Sequence, residues 1–149
     1  MRGKTNKVQV FNAQSESIIQ TKALSGTFEA PIKGLHCLGG GSVNTDKDNS
    51  PLYKLRQVVV DQQGKCGIDV MSSKKQPSDV FKLKGDNVVK SYMNESMLHV
   101  CSRDMTLQLW DLDASKRGKV PTWQARNLPD DELDIKIPIF DTGLTMCDS

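Results

Sequence analysis

Alternation with a period of two recurs along this chain, and no long window keeps apolar residues at the i, i+3, i+4, i+7 spacing of an amphipathic helix. The alternating runs are short and bounded by Gly, Asn, Asp, Ser and Pro, the residues that turns demand. They predict strands at 6–11, 17–22, 31–38, 55–62, 65–71, 79–84, 87–93, 97–102, 106–112, 121–126 and 135–140. Many short strands joined by tight polar turns give an all-β fold class.

The strands also repeat. "LQLW" at 107–110 reads aliphatic, polar, aliphatic, large; so does "IDVM" at 68–71, which is 39 residues earlier, and "VQVF" at 8–11, another 60 residues back. The preceding strands correspond as well, "LHVCS" to "QVVVD", and so do the following ones, "PTWQAR" to "DVFKLK". A step of 39 residues is close to the four-stranded propeller blade of about 40–45 residues. The longer step contains "GGGSVNTDKDNSP", 39–51, whose polar, Gly-rich composition predicts an inserted surface loop.

"SRDMTLQLWD", 102–111, resembles the WD-repeat consensus, in which an Asp-containing turn precedes a strand ending in Trp-Asp. Trp buries a large area but carries an N–H that needs an acceptor. In WD repeats the Trp, a Ser or Thr, the turn Asp and an upstream His form one hydrogen-bonded set. The resemblance gives Ser102, Asp104, Trp110 and Asp111 as the structural set, with Gly85-Asp86 where Gly-His is usual. Met71-Ser72 and Phe11-Asn12 stand where the other repeats would carry Trp-Asp.

The expected architecture is therefore a fragment of a WD-repeat β-propeller: two full four-stranded blades with partial blades at both ends. Residues 1–24 end one blade, 30–84 form a second with an inserted loop at 39–54, and 85–126 form a third; 127–149 hold a linker and the first strand of a fourth. A closed ring has four to eight blades, so the chain is expected to belong to a larger propeller.

Charge changes this picture little. The 149 residues carry 20 Lys and Arg against 18 Asp and Glu, a net charge of +2 with no basic stripe of the kind nucleic-acid binders show. Two basic turns, 72–78 and 115–119, occupy equivalent positions between third and fourth strands and could touch RNA phosphates. No apolar run approaches the roughly 20 residues that a membrane-spanning helix needs. Cys37, Cys66, Cys101 and Cys147 form no CxxC pair and lack zinc-ligand spacing, so they read as small apolar residues.

Candidate chemistry is sparse. Gly39-Gly40-Gly41 lacks the Lys-Ser/Thr of a phosphate loop. Asp46, Asp48 and Ser50 begin like a calcium loop, but Pro51 and Gln57 stand where it needs Gly and Glu. His36 and His99 sit inside predicted strands without a nucleophile motif and read as sheet histidines. No catalytic, cofactor or metal site is expected, and the chain reads as a non-enzyme.

The segment "QARNLPDDELDIKIPIFDT", 124–142, narrows the resemblance. Ala125-Arg126-Asn127 followed by Leu133-Asp134-Ile135-Lys136-Ile137-Pro138-Ile139-Phe140 resembles a hallmark of the nucleolar Nop-seven-associated WD-repeat family of large ribosomal subunit assembly factors, with Phe140 for the usual Trp. "KVQVFNAQ", 7–14, resembles an earlier blade of that family. The resemblance implies a non-enzymatic scaffold in the nucleolus and nucleus that docks on pre-ribosomal particles during ribosomal RNA processing. It implies assembly-factor partners, ribosomal RNA and a remodelling ATPase of the AAA class, with no small-molecule substrate and no membrane. Arg126, Asn127, Asp134, Lys136 and Pro138 are the expected partner contacts. The alternative is a general WD-repeat interaction module, such as a substrate receptor of a ubiquitin ligase.

Overall fold

The computed structural model describes residues 6–24, 26–38, 43–45, 51–53, 56–71, 73, 75–103, 105–113 and 120–127. All regular structure among them is β. The chain begins with an antiparallel hairpin, β1 (Lys7–Asn12) and β2 (Ser17–Ala23). A four-stranded antiparallel sheet follows, built in chain order from β3 (Ile32–Cys37), β6 (Arg56–Asp61), β7 (Lys65–Val70) and β8 (Ser78–Lys82). Between β3 and β6 the chain inserts a separate small hairpin, β4 (Val43–Thr45) with β5 (Pro51–Tyr53). A second four-stranded meander follows: β9 (Val88–Asn94), β10 (Met97–Ser102), β11 (Gln108–Asp111) and β12 (Trp123–Gln124).

Two expectations need correction. The insertion at 39–51 reads as loop, yet Val43 pairs with Tyr53 and Thr45 with Pro51. Its polar composition hides the pairing, and Pro51 is tolerated because a two-stranded ribbon has a free edge on each strand. The last strand is shorter than 121–126 suggests, with only Trp123 and Gln124 in regular register. Beyond it the pairing continues irregularly: Thr122 N–H donates to Leu109 O at 2.8 Å and Ala125 N–H to Leu107 O at 2.8 Å. The strand predicted at 135–140 lies outside the described residues.

The layers stack through β6. Successive strand side chains point to opposite faces, so Val58 and Val60 enter one core and Val59 the other. The first core holds Cys66, Ile68, Leu83, Leu98, Val100 and Trp110 between the two four-stranded sheets. The second holds Val8, Leu24, Phe28 and Met71 between the β1–β2 hairpin and the β3–β8 sheet. A strand covered on both faces must be apolar nearly throughout, which explains the continuous "VVV" of β6 where alternation lapses.

The two four-stranded sheets come closest at β3 and β9, the first strand of each. Glycine makes that approach possible. A Cβ on Gly34 would lie 1.8 Å from Ser91 Oγ, so a larger residue fits only if Ser91 rotates or the strands separate. His36 then bridges the same junction, its Nε2 lying 2.8 Å from Ser91 Oγ. At the other end of the meander, Gly85 takes a left-handed φ of +88°, in the linker between the sheets.

Candidate interaction surface

Trp110 is 2% exposed and packs toward the preceding sheet, its ring centroid 5.9 Å from that of Phe81. Its indole N–H donates to Gln108 Oε1 at 2.9 Å, and Gln108 Nε2–H donates to Lys84 O at 2.9 Å. The acceptor is thus Gln108, a residue outside the expected set. Residues i and i+2 share a strand face, so Gln108 sits beside Trp110 and reaches it without crossing to another strand. Ser102 is buried and does a different job: its Oγ accepts the Met105 N–H at 3.1 Å and shapes the turn after β10. Asp111 is half-buried on β11, and its Oδ1 accepts the Asp113 N–H at 2.9 Å. Asp104 lies outside the described residues.

The preceding layer contact uses the equivalent position differently. Met71, like Trp110, closes the third strand and is buried against the layer before it. Two residues earlier, Asp69 stands where Gln108 stands in the next sheet. It accepts from Gln57 Nε2 at 2.8 Å and from Lys22 Nζ at 2.5 Å, while Lys22 also reaches Val70 O at 2.9 Å. Gln20 Nε2–H donates to Met71 O at 2.7 Å, a second tie between hairpin and sheet. These partners were missed in the sequence. The available signal was the recurring polar residue two before each large one: Gln9, Asp69, Gln108.

Of the expected partner contacts, Arg126 and Asn127 are described. Arg126 and Asn127 are exposed beyond the end of β12. Asp134, Lys136 and Pro138 lie outside the described residues. The basic turn at 115–119 and Cys147 also lie outside them. Cys66 and Cys101 are buried and Cys37 is exposed. Burial pushes the Cys66 thiol up to about 12, where it stays protonated and behaves as a small apolar group.

Turns and linkers meet at one end of the stack. Asp61, closing β6, accepts the Lys65 N–H at 2.8 Å; burial raises its pKa, and the backbone N–H groups of Lys65 and Gln63 oppose that rise. Beside it lies a polar groove of about 730 Å³ between the linker at Glu29–Pro31, the turn at Gln62–Gln63, Lys82 at the end of β8 and the linker that carries Asp86. Lys82 pairs with Asp86, four residues on, and also donates to Gln63 O. Desolvation lowers the pKa of both histidines, His36 at the β3–β9 junction and His99 on β10. His99 meets the edge of Tyr92, ring centroids 6.0 Å apart. Among the described residues, no three His, Cys, Asp or Glu side chains are grouped to hold a metal ion.

No protein-family model matches this chain, and no curated protein matches it either.

Proposed function

We propose that this chain forms part of a WD-repeat β-propeller and acts as a non-enzymatic scaffold in large ribosomal subunit assembly, docking on pre-ribosomal particles in the nucleolus. The observation that carries the propeller half is the relation of the two four-stranded meanders. They stack face to face and converge at their first strands, β3 and β9, as blades do around a central channel. Burial of Met71 and Trp110 against the layer before each supports a repeated unit.

The ribosomal half rests on the resemblance of 124–142, with Arg126, Asn127, Asp134, Lys136 and Pro138 as contacts. Scaffolds of this kind work by presenting rigid edges and turns, so the exposed Arg126 and Asn127 beyond β12 suit docking. Assembly factors, ribosomal RNA and a remodelling ATPase of the AAA class are the proposed partners. A tagged chain expressed in nucleated cells should co-purify large-subunit precursor RNA. Lys136→Glu should reduce that recovery several-fold while the far-ultraviolet spectrum stays unchanged. Equal recovery by both forms would remove this segment as the contact.

A further inference from the structure

A smaller recess adjoins the groove at the same end of the stack. It encloses about 140 Å³ and is lined by Lys33, Gln62, Asn87, Val88, Val89 and Arg103. Its walls come from both four-stranded sheets and are fixed by backbone hydrogen bonds. Gln62 N–H donates to Pro31 O at 2.8 Å, Val88 N–H to Gln62 O at 2.9 Å and Arg103 N–H to Asn87 O at 3.2 Å. A site tied together in this way is preorganised, so binding there sacrifices little backbone freedom.

Its charge is one-sided. Lys33 and Arg103 are the charged lining residues, and among the described residues no carboxylate lines the recess and neither cation forms an ion pair. The Gln62 carboxamide also makes no side-chain hydrogen bond among the described residues and can donate. At about 30 Å³ per water the volume holds about five waters, which matches the five heavy atoms of a phosphate group. A guanidinium fork and an ammonium facing one small space suit a tetrahedral dianion better than a single carboxylate.

We propose that this recess binds a phosphate monoester carried on a partner polypeptide. Two cations at one small recess offer a single phosphate seat, whereas a nucleic-acid strand needs a track of cations along its backbone. The larger groove shares Gln62 and Asn87 with the recess, so the two adjoin and one bound peptide can reach both. Asp86 on the groove wall is already paired with Lys82, and Glu29 favours a basic residue beside the phosphorylated one. This site goes beyond the ribosomal reading and does not depend on it.

The test is a titration of the full 149-residue chain, nitrogen-15 labelled, with a phosphoserine peptide bearing two neighbouring arginines. The unphosphorylated peptide and a single-stranded RNA oligonucleotide are titrated in parallel at one ionic strength. The site predicts saturable shifts at the amides of Gln62, Val88, Val89 and Arg103, at least tenfold weaker without the phosphate. Arg103→Ala and Lys33→Ala should each weaken the phosphopeptide at least tenfold, while Lys90→Ala, with a similar spectrum and melting temperature, should not. Equal binding of the two peptides, equal or tighter binding of the RNA at these amides, or undiminished binding by Arg103→Ala would each overturn the proposal.

Discussion

Lys22 on β2 and Asp69 on β7 form an ion pair of 2.5 Å between two layers, with Asp69 1% exposed at its side chain and Lys22 10%. Gln57 holds the other carboxylate oxygen at 2.8 Å, so the buried charge is paired and hydrogen-bonded. Removing one partner strands the other. Lys22→Met alone should destabilise the chain by about 3–5 kcal/mol. The double variant Lys22→Met with Asp69→Leu should recover most of that loss, because neither site then carries an unpaired charge. Urea denaturation of the three proteins measures both effects.

Trp110 and Gln108 should behave as a coupled pair. Trp110→Ala removes a large buried side chain and should cost about 3–5 kcal/mol. Gln108→Leu leaves the indole N–H and Lys84 O without their partner and should cost about 1–3 kcal/mol for each group left unsatisfied. In the Trp110→Phe background the same Gln108→Leu change should cost less, since Phe has no N–H to satisfy. A double-mutant cycle in urea reads the difference. Ser102→Ala should leave this coupling unchanged, because Ser102 serves the turn to Met105.

The β3–β9 approach gives a steric prediction. Gly34→Ala puts a methyl group 1.8 Å from Ser91 Oγ, a clash that only strand separation or a Ser91 rotation relieves. The variant should lose about 1–3 kcal/mol from overpacking. Adding Ser91→Gly should restore part of it by clearing the contact. Melting temperatures of the single and double variants decide.

The histidines make stability depend on pH. Desolvation depresses the pKa of His36 and of His99 below the ordinary 6.5, so the unfolded chain takes up protons first as pH falls. Their contribution is complete above pH 6.5 and is lost as pH falls through the folded-state values. Asp61 acts oppositely: its raised pKa gives a contribution present below the ordinary 3.8 and lost as pH rises through the folded-state value. Urea midpoints from pH 7.5 down to 5 should therefore fall, and the double variant His36→Gln, His99→Gln should flatten the decline.

Much of the fold was legible because β structure writes itself in alternation and turns. Strands β1, β2, β6, β7, β9 and β10 fall within a residue or two of the alternating runs. Where polar residues dominate, as in the hairpin from Val43 to Tyr53, composition pointed to loop and the pairing stayed hidden. Partners distant in sequence were equally hidden. His36 and Ser91 are 55 residues apart, and Lys22 and Asp69 are 47; no local pattern ties either pair together. The recess at Lys33 and Arg103 was missed for the same reason, since its two cations sit on different sheets and neither lies in a basic run.

The most direct measurement is a sucrose gradient of nuclear extract, blotted with an antibody raised against residues 97–142. A scaffold of large-subunit assembly should sediment with the large-subunit precursors and shift to the top of the gradient after ribonuclease treatment. Reactive protein found only at the top of the untreated gradient, at about the 16.5 kDa of the free chain, would contradict that function.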